Sequence, residues 1–326
     1  MDLIESYAED LKLIRRNWTK VWVYAVVLAV FMLPLYVPGH FVYLATIILI
    51  WSIGVQGQNI LIGYTGQISL GQAGFLAIGA FCFGHLSRLG IPWPFALLCA
   101  GLVTAMVGLL VGIPALRLKG PYLAVATMAF GIAVYQVLVN SEFLSGGGMG
   151  LTIDKLTPAF GLSSANYCFY FNLIIAAFFT LISYNIVSSY LGRAFIAIRD
   201  NDIAAEALGV NLTRYKLLAF AISSFYVGIQ GGLYALFMGF VEPDMFTFEK
   251  TIAYLVAIII GGLASVEGAI MGAAFIILVP QVFSDYKEMV LLIYGLAIIV
   301  ILIFEPLGLA GRLQKIRLYL SNWPYR

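Results

Sequence analysis

Residues 92–113 read PWPFALLCAGLVTAMVGLLVGI and contain no charged side chain. A helix needs about 20 mainly apolar residues to cross the hydrocarbon core of a bilayer, so this stretch predicts a membrane-spanning helix. The rest of the chain has the same character, because 62% of its 326 residues are hydrophobic and 10% are charged. Soluble domains contain about 25% charged residues. The sequence therefore predicts an all-α, polytopic helical membrane protein.

Charged residues and Gly or Pro breaks divide the chain into about ten candidate transmembrane helices. The candidates are 21–37, 41–62, 72–87, 92–113, 121–139, 167–190, 217–238, 249–264, 268–284 and 288–305. This division gives a cytoplasmic extension at 1–20, a transmembrane domain at 21–312 with a cytoplasmic segment at 192–216, and a cytoplasmic tail at 313–326. The first apolar run lacks a small-residue cleavage site after it, and we interpret it as an uncleaved anchor.

The positions of the basic residues predict the orientation. If the N-terminus is cytoplasmic and the spans alternate, the inner side receives fourteen of the 18 Lys and Arg residues. The four that fall outside are Arg88, Lys155, Lys250 and Lys287. Cytoplasmic loops carry an excess of Lys and Arg, so both termini are predicted to be cytoplasmic.

Several motifs of enzymes are missing from the sequence. It contains no Gly-Lys dipeptide, and hence no P-loop for ATP, and neither an H-E-x-x-H nor a G-x-S-x-G motif. The three cysteines lack metal-type spacing, and we interpret them as small apolar fillers. We therefore predict no catalytic residue, no metal site and no nucleic-acid partner. Glu267 is the one candidate for an ion-coupling acid, and its neighbours favour a turn at the inner surface instead.

The segment Gly192–Lys216 reads GRAFIAIRDNDIAAEALGVNLTRYK, and it is polar between two long apolar runs. We interpret it as one short helix that Asp200 and Asn201 cap at the start and Gly209 ends in the left-handed conformation. A compact helix outside the membrane suggests a docking element for a partner that supplies energy, and a solvated loop helix is the alternative. The candidate coupling residues are Arg199, Asp200, Asp202, Ala205, Glu206 and Gly209.

A second polar segment, Gln56–Phe75, collects amides and hydroxyls but no charge. Neutral polar groups at membrane depth must be satisfied by other helices or by water in a cavity. One hypothesis is a translocation path that Gln58, Asn59, Gln67, Ser69 and Gln72 line. The alternative is helix packing through small residues, with the amides bridging neighbouring helices.

These segments together resemble the inner-membrane permeases of ATP-binding-cassette importers for branched-chain amino acids, in particular the M-type subunit. The resemblance lies in Gly63–Phe75, Leu116–Gly120 with Tyr122, Gly146-Gly147 with Gly150-Leu151, Ile198–Gly209, and Phe304–Gly311. It extends from about residue 41 to residue 312, and residues 1–20 match the family poorly.

The resemblance implies half of a translocation path for leucine, isoleucine and valine in the bacterial inner membrane. It also implies a second, homologous permease, two cytoplasmic ATPases that bind ATP and Mg, and a periplasmic substrate-binding protein. The segment at 192–216 would then be the coupling helix, and this chain would hold no cofactor and contact only membrane lipid and these proteins. Related permeases carry urea, short amides or other amino acids. A self-sufficient channel for a small neutral solute is the alternative from another class.

Overall fold

The computed structural model describes residues 30–118, 120–146, 149–155, 163–283, 290–305 and 308–313. The extension at 1–20, most of the predicted span 21–37 and the tail beyond residue 313 lie outside these residues. Residues 30–36 are helical.

The helices follow the predicted spans closely. In chain order they are α1 (Gly39–Asn59), α2 (Gln72–Arg88), α3 (Trp93–Ala115), α4 (Pro121–Asn140), α5 (Glu142–Ser145), α6 (Ser164–Ser188), α7 (Tyr190–Asp200), α8 (Asp202–Ala207), α9 (Leu212–Met238), α10 (Phe248–Gly261), α11 (Val266–Val282) and α12 (Val290–Phe304). A π-helical turn, Ile60–Tyr64, extends α1, and a 3₁₀ turn covers Pro243–Phe246. Two short strands, β1 (Leu151–Thr152) and β2 (Phe240–Val241), pair antiparallel.

Five of the described helices are long and apolar enough to cross a membrane. They are α1 with its π-helical turn, α3, α4, α6 and α9. The prediction of a helical membrane protein is thus confirmed. Helices α2, α10, α11 and α12 coincide with predicted spans but contain only 14 to 17 residues each. The count of ten spans and the side of each terminus stay predictions.

Helices α1, α2 and α9 form the centre of the molecule, where glycines let their backbones touch. A Cβ atom added at Gly79 of α2 would lie 2.4 Å from the carbonyl oxygen of Gly228 in α9. One added at Gly231 would lie 2.3 Å from the carbonyl oxygen of Leu76. Small residues permit this close packing of helices inside a membrane, where apolar burial alone does not bring helices together.

The outer helices present apolar side chains to their surroundings. On α3 the exposed residues Leu98, Leu102, Met106 and Leu110 follow one another at four-residue spacing. Residues at this spacing lie on one face of a helix, so α3 has a continuous apolar stripe on the outside of the bundle. Such a stripe fits contact with lipid tails or with another membrane helix.

Candidate functional site

The polar segment at 192–216 contains the short helix predicted between Asn201 and Gly209, and a second helix, which was not predicted, precedes it. Helix α7 ends at Asp200, and α8 begins at Asp202 after an extended Asn201 with φ −162° and ψ 109°. Asn201 caps α8, because its Oδ1 accepts a hydrogen bond from the Ala204 N–H at 3.0 Å. Asp200 was also expected to cap. It is instead the last residue of α7, and its carboxylate pairs with Arg199 at 3.0 Å.

The end of α8 has the predicted left-handed glycine. Gly209 has φ +86°, and its N–H donates to the carbonyl of Glu206 at 2.9 Å. The N–H of Val210 donates to the carbonyl of Ala205 at 3.0 Å. This pair of hydrogen bonds is the Schellman motif, which satisfies carbonyls that a helix end otherwise leaves free. We call α7 and α8 the coupling hairpin; its second helix is capped at both ends.

Helix α8 has an outer and an inner face. Ile203 is 73% exposed and Leu208 is 84% exposed, and Glu206 is also exposed. Ala205, predicted as a coupling residue, is buried against the body of the protein. Asp202 forms an ion pair at 3.6 Å with Lys216, which lies in the first turns of α9. The predicted coupling residues are therefore divided between a surface that a partner can reach and an inner contact.

The second predicted site lies at a break between α1 and α2. After the π-helical turn, residues 65–71 are not helical, and within them Thr65, Gln67, Ser69 and Gly71 are buried. Non-helical backbone within a membrane protein is tolerated where it is buried in protein or lines a cavity. We call residues 60–71 the polar break.

The predicted path residues fall into two groups, and those of the first group make hydrogen bonds with other described residues. Asn59 donates to the carbonyl of Ser265 at 2.7 Å and accepts from the N–H of Ala264 at 3.0 Å. Gln67 donates to the Thr65 hydroxyl at 3.1 Å. The backbone carbonyl of Ser69, whose side chain is buried, accepts from Gln58 at 3.3 Å. These contacts connect the end of α1 to the polar break and to the turn between α10 and α11.

The second group has unused hydrogen-bonding capacity. Gln72, the first residue of α2, has no exposed surface, and both its amide oxygen and its amide nitrogen lack a partner among the described residues. The amide oxygen of Gln58 has none there either. A buried polar atom without a partner costs free energy, and such groups in native proteins call for an explanation, such as an unseen water or a functional role.

Two further glutamines, Gln230 and Gln56, lie deep in the bundle and were not predicted as site residues. The amide oxygen of Gln230 in α9 accepts from the hydroxyl of Tyr254 in α10, while its amide nitrogen lacks a partner in the described part of the chain. Gln56 bonds to Thr180 at 3.0 Å and to Ser183 at 2.9 Å, both in α6. A glutamine near the middle of an apolar helix was the available signal for Gln230.

A cavity of about 460 Å³ joins the two predicted regions. Its walls come from the polar break, from the turn between α3 and α4, from the coupling hairpin and from Lys216. Two hydrogen bonds join the two regions. The Gln67 amide donates to the carbonyl of Lys216 at 3.5 Å, and the Arg199 guanidinium donates to the carbonyl of Gly63 at 3.1 Å. The sequence suggested two separate sites, and the fold places them in direct contact.

Comparison with known proteins identifies relatives over most of the chain. Residues 40–304 match the family described as branched-chain amino acid transport system / permease component. LivM, the permease protein of a high-affinity branched-chain amino acid transport system, is 32% identical in Salmonella typhimurium strain LT2 over 302 residues, which cover 85% of this chain and 71% of that protein. The Escherichia coli K12 protein of the same name gives the same identity and coverage. The fructose import permease protein FrcC of Rhizobium meliloti is 24% identical over 71% of this chain and 66% of its own length. No solved structure matches the chain.

The family match covers the polar break, the central helices and the coupling hairpin in one continuous stretch. The chain belongs to the family of permease components of branched-chain amino acid transport systems.

Proposed function

We propose that this chain is the membrane-spanning subunit of an ATP-binding-cassette importer, and that it forms half of a path for leucine, isoleucine and valine. The observation that carries the proposal is the 32% identity over 302 residues to two proteins named for branched-chain amino acid transport. The fructose permease is a more distant relative, so the substrate class rests on the closer pair.

In this proposal the protein is a multi-pass component of the bacterial inner membrane with ten spans and both termini in the cytoplasm. The excess of Lys and Arg on the proposed inner side supports the orientation. The extension 1–20 and the tail from 313 then lie in the cytoplasm with the coupling hairpin.

The coupling hairpin is the proposed docking site for an ATPase subunit. Ile203 in its second helix and Leu208, the residue that follows this helix, are exposed to solvent, and so is Glu206. Exposed apolar side chains on a helix capped at both ends fit a rigid contact that enters a cleft in a partner protein. The partners we propose are two ATPase subunits that bind ATP and Mg, a second homologous permease and a periplasmic binding protein. This chain then hydrolyses no ATP itself.

The substrate path is proposed to run past the polar break. A branched-chain amino acid carries an ammonium group, a carboxylate and an apolar side chain. Neutral amides such as those of Gln58, Gln67 and Gln72, with the Ser69 hydroxyl, can offer hydrogen bonds to both charged groups without holding either as tightly as an opposite charge would. The complete burial of Gln72 corresponds to a closed path in the described conformation.

Reconstitution in lipid vesicles tests the proposal. We expect labelled leucine to accumulate only when this chain, the second permease, both ATPases, the binding protein and ATP are all present. Isoleucine and valine should compete, whereas urea, acetamide and fructose should not. Uphill uptake by this chain alone, or an assembly that ignores all three branched-chain amino acids, would contradict it.

A further inference from the structure

Arg199, at the end of α7, connects the coupling hairpin to the polar break. Its Nη1 donates to the carbonyl of Gly63 at 3.1 Å, while Nε and Nη2 donate to Oδ1 of Asp200 at 3.1 and 3.0 Å. The guanidinium thus bridges the last residue of α7 and the π-helical turn that ends α1. The two ends lie 136 residues apart in the chain.

The chemistry at Gly63 favours an arginine. The last carbonyls of a helix have no partner within the helix, and the backbone dipoles give that end a partial negative charge. A planar guanidinium offers several N–H groups in a fixed fork, so one side chain can bond a carbonyl and a carboxylate at once. Arg199 therefore stabilises the end of α1 and holds it at a fixed distance from α7.

Gly66 lets the backbone of the polar break lie close to the same arginine side chain. It has φ +69°, and a Cβ atom at this position would lie 3.2 Å from Cγ of Arg199. That distance is tighter than ordinary van der Waals contact, and the left-handed conformation already favours glycine. The polar break thus contacts the side chain of Arg199 at two points, Gly63 and Gly66.

The contact continues on the far side of the π-helical turn. A Cβ atom at Gly63 would lie 2.1 Å from Oδ1 of Asn59 and 2.5 Å from the backbone nitrogen of Ala264. Asn59 in turn bonds both Ala264 and Ser265, which lie in the turn between α10 and α11. A displacement of Arg199 can therefore be transmitted through these contacts to α1 and to the start of α11.

We infer that Arg199 is a positioning residue that transmits movement of the coupling hairpin to the polar break. It acts inward, on Gly63 and Gly66, rather than as a contact to the ATPase. The inference rests on the proposed function, because it takes the hairpin as the part that the ATPases move.

Two matched pairs of variants test the inference in the assembled transporter. Arg199→Ala removes the bridge, and Arg193→Ala is its control on the same helix, since Arg193 lies over the Tyr190 ring at 5.9 Å and does not reach the break. Gly66→Ala disturbs the contact from the other side. Gly90→Ala is its control, because Gly90 has a similar φ of +76° with nothing within 4 Å of an added Cβ.

Two readouts separate transmission from docking. The first is the amount of leucine taken up per ATP hydrolysed, with the ATPases that copurify measured in parallel. The second is the rate at which a maleimide labels Ile68→Cys, in the exposed part of the break, with and without ATP and vanadate. The second needs no transported substrate, so it remains informative even if leucine proves not to be the cargo.

We expect Arg199→Ala to keep its ATPases and to continue hydrolysis. Leucine per ATP should fall about tenfold or more, the scale of a lost hydrogen bond to a charged group. The nucleotide-dependent change in labelling at position 68 should disappear. Gly66→Ala should act in the same direction, while both controls stay within about twofold of the unmodified chain.

Two results would overturn the inference. The first is an Arg199→Ala assembly with unchanged leucine per ATP and an unchanged labelling response. The second is loss of the ATPases from Arg199→Ala during purification, which would make Arg199 a docking residue. A failure of the unmodified assembly to transport any branched-chain amino acid would instead contradict the proposed function, and the labelling at position 68 would still decide the role of Arg199.

Discussion

The caps of α8, in the coupling hairpin, and the amides of α1, in the central bundle, both depend on polar side chains, but their hydrogen-bond partners lie at very different distances along the chain. In the hairpin, Asn201 bonds a backbone N–H three residues ahead, and Gly209 bonds back to Glu206. In the central bundle, Asn59 bonds residues more than 200 positions away, and Gln56 bonds Thr180 across 124 positions. The two ends of α8 are thus specified by neighbouring residues, whereas the partners of the α1 amides depend on the fold.

The largest effect is expected from Asn59→Ala. This change removes two hydrogen bonds and leaves the N–H of Ala264 and the carbonyl of Ser265 without their partner. We expect a loss of about 2–4 kcal/mol in the free energy of unfolding, from two hydrogen bonds and the groups they leave behind. Thermal unfolding in detergent measures it. Asn140→Ala is the control, because Asn140 is exposed and bonds only within its own helix. Equal stability of the two variants would contradict this role for Asn59.

Gln72→Leu, in contrast, should reduce transport without reducing stability. Neither amide atom of Gln72 has a partner among the described residues, so leucine removes a buried polar group without breaking a bond described there. Stability should be kept or should rise. Leucine uptake should fall about tenfold if the amide serves the substrate, while assembly and basal ATP hydrolysis survive. Gln136→Leu, at an exposed position on α4, is the control. A Gln72→Leu complex that unfolds or dissociates would favour packing as the role of this amide.

Gly209→Val tests the exit from the hairpin. At φ +86° a β-branched side chain is strained by about 1–2 kcal/mol, although nothing lies within 4 Å of an added Cβ. We expect the chain to reach the membrane and bind ATPases that still hydrolyse ATP, while uptake falls steeply. Gly209→Asn should be milder, because asparagine tolerates this conformation. Normal uptake by the valine variant would show that the hairpin needs no rigid end.

Glu206→Arg should have the smallest effect, and one that depends on salt. Glu206 is exposed, and we expect a basic surface opposite it on the ATPase. Reversing its charge should weaken ATPase binding several-fold at low ionic strength, and the difference should shrink as salt screens the contact. Titration of labelled ATPase onto the purified chain at two salt concentrations measures it. A deficit that is the same at both concentrations would rule out an electrostatic contact.

The sequence predicted most of the helical fold, because the information lies in runs of apolar residues. The predicted spans 72–87 and 92–113 differ from α2 and α3 by two residues or fewer at each end. Helix α7, which precedes this short helix, was not predicted, because the signals at Asn201 and Gly209 mark only the start and the end of α8. The cap at Asn201 and the left-handed Gly209 were predicted correctly from local side-chain chemistry.

The hydrogen-bond partners of the buried amides in the bundle could not be predicted in the same way. Asn59 and Gln72 are both amides in one polar segment, yet the fold gives one of them two partners and leaves the other with none in the described residues. The partners of Asn59 come from a turn at 264–265, which lies more than 200 positions away in the sequence. The inward direction of Arg199 likewise depends on where α1 ends in space.

The placement and role of the coupling hairpin are tested most directly by one labelling experiment. The variant Ile203→Cys is made in a chain whose three native cysteines are replaced. Intact cells and inside-out vesicles that contain it are then treated with a membrane-impermeant maleimide. We expect labelling only in inside-out vesicles, and we expect bound ATPases to protect the cysteine, while Asp244→Cys labels in intact cells. Labelling of position 203 in intact cells, or no protection by the ATPases, would contradict the placement of the hairpin at the cytoplasmic contact.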